Sequence, residues 1–203
     1  MARTQATSRT QATGRLQLGG GATSQGANNP GTMADDATVG VNLWNTPDNA
    51  KVEDGVLTIA VGDGDPNNLD THYLKATNFG FSIPTGATID GIIVEVKRRC
   101  TTGNTVHDKV VSLLKAGSIV GDNKADTVTN WTNVLTYITY GAADNLWGIS
   151  WNRDDINNTN FGIVFTASSP IASVQYARVD HIRITVYYTE GGNRLQATNR
   201  VSV

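Results

Sequence analysis

Short stretches of alternating apolar and polar residues, divided by turn-forming residues, fill the middle of this 203-residue chain. In one of them Ile92, Val94 and Val96 alternate with side chains that include Glu95 and Lys97. A period of two places successive side chains on opposite faces of a β-strand. Turns rich in proline and glycine separate the stretches, and no segment shows the apolar spacing of a long helix. The pattern predicts an all-β fold, an antiparallel two-sheet sandwich of jelly-roll type.

The predicted strands define a body from residue 34 to residue 190. An N-terminal arm (residues 1–33) and a C-terminal arm (residues 191–203) flank this body. A single helical turn is predicted at residues 154–158. The predicted strands cover residues 40–44, 56–61, 72–76, 79–83, 89–98, 106–115, 118–121, 134–140, 161–166 and 174–188.

A six-residue phrase, Arg-x-Gln-Ala-Thr followed by a small residue, stands at both ends of the chain and is absent from its middle. It starts at Arg3 and Arg9, and in altered form at Arg15; it returns at Arg194 and stops as a truncated copy at Arg200. Because six is a multiple of two, the repeat keeps each residue type on a constant face of a strand. A helix of about 3.6 residues per turn would scatter the arginines around its surface. The repeats therefore predict extended arms.

Neither arm has enough apolar residues to fold alone, because ordering costs about 1–2 kcal/mol per residue. Each arm must add as a strand to a neighbour's sheet edge, or remain disordered as many chain ends do. Residues 3–17, fully extended, would span about 50 Å, which exceeds the width of about 40 Å expected for the body. The residues predicted to contact neighbouring subunits are Arg3, Gln5, Arg9, Gln11, Arg15, Leu16, Arg194, Leu195, Gln196, Arg200 and Val201.

The distribution of charged residues separates the arms from the body, as the distribution of the repeats does. The arms carry five arginines and no acidic residue, whereas residues 34–190 hold eleven basic and all eighteen acidic residues. The arms are therefore +5 and the body −7, which favours association of basic arms with acidic bodies. The arms contain no aromatic residue on which bases could stack, so neither nucleic acid nor a membrane is a predicted partner.

The sequence shows no catalytic signature. His72, His107 and His181 stand in separate segments, without a hydrolase, zinc-protease or phosphate-binding motif, and we predict that the protein is not an enzyme. Cys100 is the only cysteine, so no intrachain disulfide is expected, and a structural thiol is favoured over a nucleophile. The first fourteen residues lack the apolar core of a signal peptide, which favours a virion protein over a secreted one.

Calcium is the one cofactor for which the sequence offers a candidate site. Asp63, Asp65, Asn67 and Asp70 place oxygen ligands close together in the chain, as in a calcium-binding loop. The segment lacks the glycine and the bidentate glutamate of an EF-hand. Aspartate and asparagine also form turns without any metal, and this alternative stays open.

Two tryptophans offer a candidate glycan site. Trp147 and Trp151 lie four residues apart, so they would share a face if the segment were extended, and exposed indoles can stack on sugar rings. Tryptophan in a sandwich more often fills the core, because large aromatic side chains dominate core burial.

Four phrases of the body resemble a β-sandwich domain of tailed-phage virion structural proteins, of the head-decoration, fibre and tail-associated type. The resemblance covers most of residues 44–189 but not the arms, and it implies a virion structural role without catalytic residues. The phrases are WNTPDNAKVEDG at 44–55, FGFSIPTGATIDGIIVEVKR at 79–98, DNLWGISWNRDDINNTNFGIVF at 144–165 and VDHIRITVYYT at 179–189.

We therefore expect a structural subunit of a phage virion: a capsid decoration, fibre or tail-surface protein that binds copies of itself and other virion proteins through its arms. One alternative is a subunit of a non-viral extracellular filament held by donor strands. The other is a carbohydrate-binding β-sandwich module that uses Trp147 and Trp151.

Overall fold

The computed structural model describes residues 21–63, 69–101, 103, 105–171 and 173–191. These residues form strands, one 3-10 turn at Pro47–Ala50 and one α-helical turn, α1, at Arg153–Ile156. No helix among them is long and apolar enough to cross a membrane. The strands are β1 (Ala22–Asn28), β2 (Thr32–Asp36), β3 (Trp44–Asn45), β4 (Thr58–Asp63), β5 (Leu69–Asp70), β6 (Tyr73–Thr77), β7 (Thr88–Cys100), β8 (His107–Lys115), β9 (Ser118–Val120), β10 (Thr136–Ala142), β11 (Gly162–Ser169) and β12 (Val174–Thr189).

Two antiparallel sheets face each other across one core, which confirms the predicted sandwich. The first sheet has the order β10-β7-β12-β4-β3, and β1 also pairs with β12. The second has the order β2-β6-β11-β8-β9, and β5 also pairs with β11. Except at the β8–β9 hairpin, each strand from β7 onward lies in the opposite sheet from the strand before it. This alternation, with β4-β12-β7-β10 facing β6-β11-β8-β9, is the jelly-roll arrangement.

The core follows from the alternation read in the sequence. In β12 the side chains of Ile182, Ile184 and Val186 are fully buried, while Arg183 and Thr185 on the other face are partly exposed. Burying one such aliphatic side chain contributes about 1.5–3 kcal/mol relative to leaving it in water. The two inner faces therefore supply most of the driving force that holds the sheets together.

The predicted start of the body at residue 34 is wrong, because residues 22–33 already belong to the sandwich. Ala22 of β1 pairs with Thr189 of β12, and Met33 of β2 is only 8% exposed. Most side chains of β1 are exposed, and so its sequence carries no apolar alternation. The sequence pattern did not predict β1, β2 or β5, and of the strand predicted at residues 40–44 only Trp44 belongs to a strand, β3.

Residues 79–83 alternate like a strand but form none. Phe79, Phe81 and Ile83 are buried, which explains the pattern. Their backbone is satisfied by side chains instead: the amide of Ile83 donates to Asn157 at 2.7 Å, and the amide of Ser82 donates to Gln25 at 2.8 Å. In this segment the apolar alternation indicates that alternate side chains are buried, and it does not indicate a strand paired in a sheet.

Candidate assembly site

The first and the last described strands of the chain are neighbours in one sheet. Ala22, at the start of β1, pairs with Thr189, at the end of β12, and the amide of Glu190 donates to the carbonyl of Gly21 at 3.3 Å. Every residue predicted to contact a neighbouring subunit lies outside the described residues, so that prediction stands as made. The described chain nevertheless begins and ends at one place on the body, although these residues are far apart in the sequence.

Strand β1 has an open edge. Among the described strands it is bonded only to β12. Along an antiparallel ladder, hydrogen-bonded residue pairs alternate with non-hydrogen-bonded pairs. Gly21 and Glu190 form a hydrogen-bonded pair. The backbone N–H and C=O groups of Ala22 and Ser24, which belong to non-hydrogen-bonded pairs, therefore point away from β12. The amide of Ser82 holds the strand in place through its bond to Gln25. Within the described part of the chain, the outer edge of β1 is thus fixed to the body and not paired with another strand.

Over residues 22–25, before its bulge, this edge lacks the usual protection against strand addition. Natural edge strands carry lysine, proline or inward-pointing charge, or are very short. Strand β1 has no charged residue and no proline over seven residues, and its ladder is regular from Ala22 to Gln25 before a bulge. By contrast, β2 ends in Asp35 and Asp36, and β3 and β9 have two and three residues. Strand β10 is the other long uncharged edge, with seven residues.

A polar network crosses the outer face of the first sheet between these two edges. The hydroxyl of Tyr137 on β10 donates to Glu53 at 2.9 Å and lies 2.7 Å from Nδ1 of His181 on β12. The other ring nitrogen of His181 lies 2.9 Å from Oδ1 of Asn29, which follows β1, and Lys97 bonds Glu53 at 2.7 Å. Burial lowers the pKa of His181. Burial and the carboxylate of Glu53 raise the pKa of Tyr137 to about 12, so this hydroxyl keeps its proton and braces the sheet.

A second polar cluster lies inside the sandwich around Asp108, which is fully buried. Its carboxylate is 3.0 Å from Nε of Arg98 and accepts hydrogen bonds from Trp131 Nε1 and the Tyr140 hydroxyl, each at 2.8 Å. The guanidinium of Arg98 also lies 4.5 Å from the centre of the Trp131 ring. Burial raises the pKa of Tyr140, which keeps its hydroxyl a donor. Because Asp108 is on β8 and its partners Arg98 and Tyr140 are on β7 and β10, the cluster ties the two sheets together.

Sequence reasoning missed both polar groups. Tyr137, Lys97 and His181 are cross-strand neighbours, and Arg98 meets Asp108 only across the core. Both groupings depend on strand order, which no local motif encodes. Cys100 lies in the core as predicted, with its thiol 3.0 Å from the carbonyl of Trp131, and burial raises its pKa.

A shallow cleft of about 390 Å³ opens near the start of β8 and the end of β11. His107 Nε2 lies 3.0 Å from the hydroxyl of Ser168 there, a contact that the sequence did not suggest. Within the described part of the chain, no carboxylate is bonded to the other ring nitrogen of His107 to orient it as a base. The lining contains no aromatic side chain: it consists of Leu69, Asp70, His107, Asp108, Lys109, Thr127, Ser168, Ser169 and Pro170.

The predicted calcium ligands are only partly placed. Asp65, Asn67 and the side chain of Asp63 lie outside the description. The carboxylate of Asp70 is bound to the ammonium of Lys109 at 2.7 and 2.8 Å, so a calcium ion would have to displace this lysine. No cluster of three or more metal-ligating side chains occurs among the residues that the structure describes. Calcium remains a hypothesis of the sequence.

The structure does not support glycan stacking by Trp147 and Trp151. Trp147 is fully buried and Trp151 is 8% exposed, so neither presents a ring face to a sugar. Their indole nitrogens donate to the carbonyls of Ile92 at 2.9 Å and Leu146 at 3.0 Å. Trp147 has a φ of 58° in a turn, so the segment is not the extended strand that the spacing argument assumed.

No protein-family model and no curated protein matches this chain.

Proposed function

We propose that this protein is a non-enzymatic structural subunit that joins copies of itself through its two repeat-bearing arms. The observation that carries the proposal is that the described chain begins and ends side by side, at an edge strand without charge or proline. Ala22 and Thr189 are direct partners, and the backbone of Ala22 and Ser24 faces away from the body. In the proposed assembly the arms act as donor strands, and β1 is the acceptor edge.

Electrostatics supports association between the arms of one copy and the body of another. The arms carry +5 and the body −7. Complementary charge steers encounter and suppresses wrong orientations more than it adds affinity. Main-chain hydrogen bonds along the open edge of β1 would supply the affinity.

The assembly we propose is a virion: a capsid decoration, a fibre or a tail surface. The support is the resemblance of four phrases in residues 44–189 to phage virion domains. These phrases contribute framework residues of the sandwich, such as Trp44, Phe81 and Phe161 in the core. They therefore indicate the type of domain and do not indicate where on a particle it would lie. A non-viral filament held by donor strands uses the same open edge and is the alternative.

Deletion of residues 2–18 tests the role of the arms. We expect the full chain to show concentration-dependent assembly in sedimentation velocity, and the truncated chain to stay monomeric with an unchanged melting temperature, because the described body starts after the deleted segment. A control in which residues 2–18 are replaced by a glycine-serine segment of equal length should behave like the deletion. Assembly of the truncated chain at the level of the full chain would contradict the proposal.

The acceptor edge can be tested in the same assay. Ser24→Pro removes an amide that faces away from β12, and proline is tolerated at such edge positions. We expect it to weaken assembly without loss of the fold. Thr139→Pro in β10, the other long uncharged edge strand, is the matched control variant. If only Thr139→Pro lost assembly, β10 and not β1 would be the acceptor edge.

A further inference from the structure

We infer that Arg99 and Arg178 form a binding site for a doubly charged oxyanion, the phosphate or sulfate group of a small ligand, on the outer face of the first sheet. Both residues belong to the described part of the chain. The site lies within the sandwich body and does not depend on the proposed assembly of subunits.

The two arginines differ from the other positive charges of the body in having no acidic partner. The described residues include eleven lysines and arginines. Nine of them form an ion pair with an aspartate or glutamate. Arg99 and Arg178 are the remaining two, and neither has a carboxylate partner among the residues that the structure describes. A shortage of acidic residues is not the reason, because the body carries a net charge of −7.

These two arginines also lie directly opposite each other. Arg178 on β12 is the cross-strand partner of Arg99 on β7, so their Cβ atoms lie about 4.5–5.5 Å apart. Both side chains are half-buried, and the residues on either side of each arginine in its strand are buried on the inner face. Like charges directly opposite each other destabilise a sheet. An anion bound between the two guanidinium groups would remove this repulsion.

The preceding outer-face positions of β7 show how this face is otherwise neutralised. Glu95 lies opposite Arg183, and its carboxylate accepts two hydrogen bonds from the guanidinium, at 2.8 and 2.9 Å. The ammonium of Lys97, two residues further on, lies 2.7 Å from the carboxylate of Glu53. The arginine pair comes next in the same row, and there the described chain supplies no anion. An external anion would complete the row.

Arg178 is already held in an orientation that favours such a site. Its Nη1 donates to the hydroxyl of Thr101 at 2.6 Å, and its guanidinium lies 4.9 Å from the centre of the Tyr176 ring. Thr101 follows Arg99 by two residues, so Arg178 leans towards the strand that carries Arg99. Because the guanidinium is held by a hydrogen bond and by an aromatic ring, it loses little freedom when it binds a ligand.

The donors match a tetrahedral oxyanion better than a carboxylate. A guanidinium carries five N–H donors in a planar fork, and the bond to Thr101 uses one of those of Arg178. A single fork matches the two oxygens of a carboxylate, whereas phosphate and sulfate can offer oxygens to two forks at once. Two positive charges also balance a dianion. A polyanion such as nucleic acid is disfavoured, because the body around the site carries −7.

Titration calorimetry of the full chain with inorganic phosphate, at constant ionic strength, tests the site. We expect Arg99→Gln and Arg178→Gln each to weaken binding at least about tenfold, since each removes charge-assisted hydrogen bonds to the ligand. Arg153→Gln is the matched control variant, because Arg153 is paired with Asp154 at 3.2 Å; it should bind phosphate like the natural chain. In chloride buffer Arg99→Gln should melt no lower than the natural chain, because it removes a like-charge contact. Weaker binding by that variant would then not be due to unfolding.

Two further titrations identify the ligand class. Acetate should bind at least about tenfold more weakly than phosphate, because it fills one guanidinium fork only. Glycerol phosphate that binds as tightly as inorganic phosphate would assign the site to a phosphate ester, and binding of inorganic phosphate alone would assign it to the free ion; either result supports the site. Equal phosphate affinity of the natural chain and both arginine variants would overturn the inference, as would equal affinity for acetate and phosphate.

Discussion

Replacing Asp108 by alanine is expected to lower the free energy of unfolding by about 3–5 kcal/mol, the usual cost of removing one partner of a buried ion pair. Asp108 is fully buried, and its carboxylate is the common acceptor for Arg98, Trp131 and Tyr140. Alanine would leave the Arg98 guanidinium, which is 7% exposed, without its counter-charge, and two further donors without their acceptor. Urea unfolding monitored by tryptophan fluorescence measures the change.

A matched pair of variants shows whether the penalty comes from the uncompensated charge. Replacing both partners by apolar residues, as in Arg98→Met/Asp108→Leu, should cost much less than Asp108→Ala, because well-packed apolar residues often replace a buried ion pair without loss. A cost of less than about 1 kcal/mol for Asp108→Ala would contradict a stabilising role for the cluster, since that is the range of exposed ion pairs.

Trp147→Ala is expected to destabilise the body by about 3–5 kcal/mol, the range found when a large buried aromatic residue is truncated. The indole is fully buried, donates to the carbonyl of Ile92 at 2.9 Å and packs against Gly141, where a β-carbon would come within 2.7 Å of Nε1. The substitution removes both the ring volume and the donor, and thermal or urea unfolding measures the loss.

Trp147→Phe separates the two contributions, because it keeps an aromatic ring and removes the hydrogen bond. Its cost should lie well below that of alanine. A Trp147→Ala variant with the stability of the natural chain would contradict the placement of this residue in the core.

Much of the sandwich could be predicted because its central strands bury one face. Alternation in β7 and β12 marks that face directly, and turns rich in proline and glycine mark where the chain changes sheet. Strand β1 escaped detection because an edge strand with exposed side chains needs no apolar residues. Residues 79–83 were misassigned for the opposite reason, since Phe79 and Phe81 are buried without belonging to a ladder.

The candidate site could be predicted only in part. Repeats and charge are properties of the sequence, so the arms could be recognised from residues such as Arg9 and Arg200. Their common origin depends on the pairing of Ala22 with Thr189, two residues separated by most of the chain. The open edge, the Asp108 cluster and the network around His181 likewise depend on which strands become neighbours.

Amide hydrogen exchange of the full chain, measured over a range of protein concentrations, tests the assembly claim most directly. Exchange reports whether backbone amides are hydrogen-bonded. We predict that amides of residues 3–17 and 194–201 become increasingly protected as the protein concentration rises, together with the amides of Ala22 and Ser24 at the open edge of β1. Arms that exchange at unprotected rates at every concentration, beside a protected body, would contradict assembly through the arms.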